Sequence, residues 1–172
     1  SARDAYPGAA PAPLRASRLV SALLDEYPFE GDERAWVSCD MAADFALPGQ
    51  PDLLYLVLCS LTKNALLALR GCPHPSLHIT LERGVAAPDG APQSVVRFTD
   101  NGPGIAPEIL ARLMFEPVTT RAAQGGSGMG LPFCRRVVQS MGGLMEVHSE
   151  LRRGASVTLL FKSDANLGGA EL

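Results

Sequence analysis

Two glycine-rich runs, Asp100-Asn101-Gly102-Pro103-Gly104-Ile105 and Gly125-Gly126-Ser127-Gly128-Met129-Gly130-Leu131, carry the residue types that handle phosphate. Glycine admits positive φ and lets backbone N–H groups approach a ligand closely. The second run opens a helical pattern that begins at Leu131. A helix start offers free N–H donors and a partial positive charge to an anion. The first run ends an alternating stretch, Ser94 to Thr99, and places a carboxylate, Asp100, where that stretch stops. Together the two runs point to a nucleotide site, with an aspartate at one end and a phosphate cradle at the other.

The elements that must position these runs follow from periodicity. Arg15 to Tyr27 reads as a helix with Leu19, Val20, Leu23 and Leu24 on one side. Ala35 to Asp40 reads as a strand. A long helix runs from Pro51, a residue suited to a first turn, to about Arg70, and Gly71-Cys72-Pro73 ends it. Leu77 to Glu82 alternates apolar and polar residues, as a half-buried strand does, so His78 faces away from the core. Val85 to Gln93 reads as a turn, Ser94 to Asp100 as a strand and Pro107 to Met114 as one or two helical turns. Phe115 to Gly130 has the composition of a mobile loop. Leu131 to Met141 is a helix stopped by Gly142-Gly143. Leu144 to Glu150 and Ala155 to Phe161 form a hairpin around Leu151-Arg152-Arg153-Gly154. The pattern predicts an α/β fold, a two-layer sandwich with a mixed sheet of about five strands and about three helices on one face.

Composition removes several classes. The chain has 172 residues, 47% of them hydrophobic, which suits one domain with a full core. A net charge of −3 gives no electrostatic footprint for nucleic acid. The longest apolar stretch, Leu53 to Leu69, is interrupted by Lys63 and Asn64 and fits a buried helix better than a membrane span. Cys39, Cys59, Cys72 and Cys134 show no CxxC spacing, and the histidines are scattered, so neither a disulfide framework nor a zinc site is expected. Residues 1–13, rich in Ala and Pro, read as a linker or tag remnant, residues 14–162 as the folded domain and 163–172 as a flexible tail. The expectation is a fragment of a larger protein.

The order of the motifs is more specific than any one of them. An Asn-bearing helix, a D-x-G-x-G turn, a Phe-Glu-Pro segment, a G-S-G-M-G-L helix start and a closing hairpin follow in sequence. This resembles the ATP-binding catalytic domain of sensor histidine kinases, in the GHKL superfamily (the Bergerat fold), over roughly Leu14 to Phe161. The resemblance implies Mg²⁺ and ATP as cofactors. It implies that Asn64, in Ser60-Leu61-Thr62-Lys63-Asn64-Ala65, is the metal ligand and a catalytic residue; otherwise Asn64 is a helix asparagine bonded to backbone. Lys63 either reaches a phosphate or stays solvated. Asp100 accepts a hydrogen bond from the adenine amino group, or is an ordinary turn residue. Gly102, Gly104 and Ile105 start the lid over the nucleotide.

Phe115-Glu116-Pro117-Val118-Thr119-Thr120-Arg121 is similar to the family's F-E-P-F-x-T-T-K/R box, one residue shorter and lacking the second aromatic. Phe115 anchors the lid or simply packs in the core. Thr120 and Arg121 are nucleotide contacts, Arg121 toward the γ-phosphate with a catalytic role, or else solvated. Gly126, Ser127, Gly128, Met129, Gly130 and Leu131 align with G-T-G-L-G-L and wrap the phosphates. Ser156, in the closing hairpin, is placed near the adenine. Ser60 stands where ATP-hydrolysing relatives carry a glutamate that activates water, and serine cannot serve as that base.

The function the resemblance implies is transfer of the ATP γ-phosphate to a histidine on a separate phosphoacceptor domain, in two-component signalling. The alternatives are a non-catalytic nucleotide-binding or docking module derived from a kinase and, further off, a GHKL ATPase. None of His74, His78 and His148 lies in the H-E-x-R-x-P context of a phosphoacceptor, so the isolated fragment is not expected to autophosphorylate. The implied partners are the dimerising phosphoacceptor domain of the same parent and a response regulator. No nucleic acid and no direct membrane contact by this fragment are expected. The implied location is cytoplasmic, whether or not the parent is anchored.

Overall fold

A computed structural model describes residues 14–115, with Phe115 as backbone only, and residues 130–163. Seven strands and four α-helices lie among them: β1 (Leu14–Arg15), α1 (Ala16–Glu26), β2 (Val37–Asp40), β3 (Ala46–Leu47), α2 (Pro51–Leu69), β4 (Leu77–Ala86), β5 (Pro92–Asp100), α3 (Pro107–Phe115), α4 (Leu131–Ser140), β6 (Leu144–Glu150) and β7 (Gly154–Lys162). A 3₁₀ turn, Glu33–Trp36, leads into β2. The main sheet has the order β2-β4-β5-β7-β6, with β2 and β4 parallel and the other pairs antiparallel. This is the expected mixed five-stranded α/β fold.

Alternation sorts the sheet into two faces. The inner face carries Ile79 and Leu81 of β4, Val96 and Phe98 of β5, Leu159 and Phe161 of β7 and Met145 of β6. These join one core with Leu19, Val20 and Leu23 of α1, Leu54, Val57, Leu58 and Leu61 of α2, and Cys134, Val137 and Val138 of α4. The outer face is polar at one end, with a cross-strand row Ser38–His78–Thr99–Ser156–His148, and carries the buried apolar pair Val95 and Leu160 further along. His78 lies on that outer face, its Nδ1 2.7 Å from Ser38 Oγ.

α2 is the spine of the helical layer. By length and composition its 19 residues could cross a membrane. Its apolar residues are instead committed to the core, with Leu54, Val57, Leu58, Leu61, Leu66 and Leu69 all buried. The C-terminus of α4 is closed by Gly142 N–H to the Gln139 carbonyl (3.0 Å) and Gly143 N–H to the Val138 carbonyl (2.9 Å), with Gly142 at φ +79°. That pairing is the glycine-dependent stop the sequence predicts.

Two expectations change. Val85 to Gln93 is not all turn: β4 continues to Ala86 and β5 starts at Pro92, with a register shift between Glu82 and Val85. A bulge lets the ladder resume past an irregular step, and proline is tolerated as a first strand residue. The β1–β3 ladder, two residues on each side, also escaped the sequence reading. It is held by Asp44, which accepts hydrogen bonds from Ser17 N–H (2.9 Å), Ser17 Oγ (2.5 Å), Phe45 N–H (2.8 Å) and Arg15 Nε (3.3 Å).

Candidate functional site

One cross-strand row on the inner face differs from its neighbours. Val37, Leu77, Asp100, Ala155 and Ser149 stand side by side across all five strands. Val37 and Leu77 are buried and apolar. The row then turns polar at Asp100 and Ser149, with only the small Ala155 between them. An acidic side chain therefore sits at the end of an apolar sheet face, where a planar ring can lie against it. A cavity of about 260 Å³ opens at this end of the sheet, around the β6–β7 hairpin; Asp100, Ser149 and Ala155 of the inner row and Thr99, Ser156 and His148 of the outer row all line it.

Asp100 is held carefully. Its Oδ1 accepts the Gly102 N–H at 2.9 Å, an Asx-type turn. Burial pushes the carboxyl above the ordinary aspartate value, and the N–H groups of Gly102 and Ala155 offset only part of that. A half-buried carboxylate that its two backbone donors only partly compensate is suited to meet a further donor from a ligand. The adjacent Asn101 does not point into the site. Its Nδ2 donates to the His74 carbonyl (2.7 Å) and its Oδ1 accepts the Ser76 N–H (2.8 Å), which pins the turn to the loop before β4.

The glycines of this turn have steric reasons. A Cβ at Gly102 would lie 3.0 Å from Asp100 Oδ1 and 3.2 Å from the Ala68 carbonyl oxygen of α2. A Cβ at Gly104, where φ is +75°, would run into the Glu150 carbonyl, and one at Gly154 would run into the Asp100 carbonyl. The turn and the β6–β7 hairpin thus dovetail backbone to backbone. The Arg152 N–H donates to the Pro103 carbonyl (2.6 Å) and the Ile105 N–H donates to Ser149 Oγ (2.7 Å).

Gly102 against Ala68 brings the turn within one helical turn of Asn64, because residues four apart share a side of α2. Asn64 is half-buried there, with its amide nitrogen enclosed, and Lys63 beside it is half-buried too. Ser60, one turn earlier, is buried, with only 8% of its surface exposed. Its hydroxyl hydrogen-bonds the Cys134 thiol, whose pKa burial pushes up to about 11. Ser60 therefore joins α2 to α4 rather than facing bulk water.

The amide oxygen of Asn64 is a hard donor, suited to Mg²⁺. Among the described residues no group of three or more His, Cys, Asp or Glu could hold a metal. The donor set fits an ion that takes most of its ligands from phosphate and water. Gly130 precedes α4 and its carbonyl accepts the Cys134 N–H at 3.2 Å, with Leu131 buried behind it.

The structure brings Asn64, Asp100, Gly102, Gly104 and Ile105 to one end of the sheet. Phe115 ends α3. Thr120, Arg121, Gly126, Ser127, Gly128 and Met129 lie outside the described residues. Ser156 pairs with Thr99 and His148 on the outer face and shares the lining of the cavity with Asp100, while Ala155 takes the position directly beside Asp100 in the ladder. The alternation of Val157, Leu159 and Phe161 inward carried this signal, since it puts Ala155 inward and Ser156 outward. The same count along Met145 and Val147 puts Ser149 inward, a residue the motif reading passed over.

The family model described as "Histidine kinase-, DNA gyrase B-, and HSP90-like ATPase" matches residues 49–165. The chain belongs to this family. CAI-1 autoinducer sensor kinase/phosphatase CqsS of Vibrio cholerae serotype O1 is 32% identical over 145 residues, 83% of this chain and 20% of that protein. Sporulation kinase D of Bacillus subtilis is 35% identical over 74 residues, 43% of this chain and 14% of that protein. The chain thus spans a fifth or less of the length of these relatives. The solved structure of the mycobacterial sensor histidine kinase MprB shares the fold, with a TM-score of 0.61 at 18% identity, covering 87% of this chain and 95% of that one. The domain is an ATP-binding one of the sensor histidine kinase type.

Proposed function

We propose that this domain holds Mg·ATP between α2, the Asp100 turn and the start of α4, and presents the γ-phosphate to a histidine on a separate phosphoacceptor domain. The observation that carries this is the row Asp100–Ala155–Ser149, whose adjoining Gly102 packs against Ala68, one helical turn from Asn64 on α2. Asp100 accepts the adenine amino group, and the Asn64 amide oxygen binds the metal. A metal held there would supply charge neutralisation to the phosphates. Gly130 and the N–H groups opening α4 face the phosphate chain. A P–N bond forms at the imidazole, the bond from γ-phosphorus to the bridging oxygen breaks, and ADP leaves. The chain's share is position and electrostatics. Ser60, buried and bonded to Cys134, does not activate water, which favours transfer over hydrolysis.

Its partners in this reading are a dimerising phosphoacceptor domain of the same parent protein and a separate, downstream response regulator, with this domain acting in the cytoplasm whether or not the parent is anchored. Calorimetry with ATP and ADP, with and without Mg²⁺, followed by transfer to a supplied phosphoacceptor domain, tests the reading. Binding strengthened by Mg²⁺ and phosphohistidine formation are expected. No binding at about 1 mM ATP overturns it.

A further inference from the structure

Ser149 lies two strands from Asp100 on the same inner row. Its hydroxyl works in both directions: it accepts the Ile105 N–H at 2.7 Å and donates to the Gly154 carbonyl at 3.2 Å. One oxygen therefore ties β6, the first residue of β7 and the turn leaving β5. The spacing between turn and hairpin is already fixed by Gly104 against the Glu150 carbonyl and Gly154 against the Asp100 carbonyl. The Arg152 N–H on the Pro103 carbonyl fixes one side of this contact, and the Ser149 bonds fix the other.

We propose that Ser149 is a positioning residue that sets which purine the Asp100 carboxylate accepts. This rests on the nucleotide reading above. Asp100 is aimed by the Gly102 N–H at its Oδ1, so the direction of its remaining lone pairs follows the turn. Adenine presents an amino group where guanine presents a carbonyl. A carboxylate held in place accepts from the first and repels the second, and one that swings discriminates less. Without the hydroxyl, the Ile105 N–H and the Gly154 carbonyl lose their partner, and the turn carrying Asp100 is released on that side.

The test uses the 172-residue chain and measures ATP and GTP affinities together with thermal stability. Ser149→Ala is expected to lower the ATP-to-GTP affinity ratio by roughly threefold to tenfold, the worth of one hydrogen bond. Ser149→Thr, which keeps the hydroxyl, is expected to restore it. Should Ser149→Ala not fold, Ser149→Cys is measured in its place, a thiol being a weak acceptor of similar shape. A merely structural serine lowers stability and weakens both nucleotides in parallel; an unchanged ratio in the variant overturns the inference while leaving the nucleotide reading standing. A wild-type chain that binds neither nucleotide overturns both.

Discussion

Asp100→Asn separates a base-recognising carboxylate from a turn residue. The substitution keeps the shape and removes the charge. In the wild type, Oδ1 accepts the Gly102 N–H at 2.9 Å and the Ala155 N–H also donates to the carboxylate, which has lone pairs beyond these two donors to offer a ligand. An asparagine cannot satisfy them all. If its oxygen stays on Gly102, its NH₂ faces the adenine amino group, donor against donor. If it flips, the Gly102 N–H loses its partner. Loss of a hydrogen bond to a charged acceptor costs about 1.5–3 kcal/mol, roughly 12-fold to 160-fold in ATP affinity. Guanine, with a carbonyl at that place, gains the NH₂ as a donor, so the ATP-to-GTP preference narrows or reverses.

The free fold responds in the opposite direction. Burial raises the Asp100 pKa above its ordinary 3.8. With the folded value above the unfolded one, the cost of ionised Asp100 is fully present above the folded pKa and vanishes below the unfolded one. Near neutral pH the amide relieves that cost, so the unliganded variant is expected to melt at the same temperature as the wild type or higher. Calorimetry gives the affinities and scanning calorimetry the melting temperature. A variant that melts lower while binding both nucleotides as the wild type does refutes the reasoning and makes Asp100 a turn residue.

Asn64→Ala is expected to abolish transfer to a supplied phosphoacceptor domain and to remove the strengthening of ATP binding by Mg²⁺, with metal-free ADP binding and melting temperature retained; a radiolabel transfer assay and calorimetry check this. Gly104→Ala places a Cβ against the Glu150 carbonyl at positive φ, so it is expected to cost about 2–4 kcal/mol in a denaturant titration. Asp44 is pushed up by burial, but hydrogen bonds from Ser17, Phe45 and Arg15 outweigh that and lower its pKa below 3.8. Its contribution is therefore present above that value and lost as pH falls through the lowered one. Asp44→Ala is expected to cost about 1–3 kcal/mol at neutral pH, with the gap to wild type closing in acid, as read by melting temperature against pH.

Most of the frame was legible in the sequence because its signals are local. Pro51 opens α2, Gly142-Gly143 closes α4, and the alternation through Leu77, Ile79 and Leu81 orients β4. What escaped depends on pairing between distant segments. Asn101 reads as a turn residue, but its side chain bonds carbonyl and N–H groups at His74 and Ser76, more than twenty residues away. β1 and β3 are too short for any periodic pattern. Ser60 looked like a substitution within a motif, and only the packing of α4 reveals its bond to Cys134. Motif position fixes the place of Ser156 along the strand and leaves its face undetermined.

That last difference shows where the site resides. The residues around Asp100 share no sequence neighbourhood: Leu77, Ala155 and Ser149 come from three other strands and meet through register alone. Register is set at the hairpin, where Arg152 takes φ +69° and Gly154 φ +101° so that the Arg152 N–H can reach Pro103. A slip of one residue in β7 would exchange Ala155 for Ser156 beside Asp100 and turn the Val157–Leu159–Phe161 face outward. The core of β7 and the proposed base pocket therefore depend on the same alignment. The apolar residues make the slip costly, and the polar end of the row inherits the precision. Asp100 is in turn held in a buried place with two backbone donors that only partly offset its desolvation. In the proposed complex the adenine amino group would supply a further donor and lower that desolvation cost.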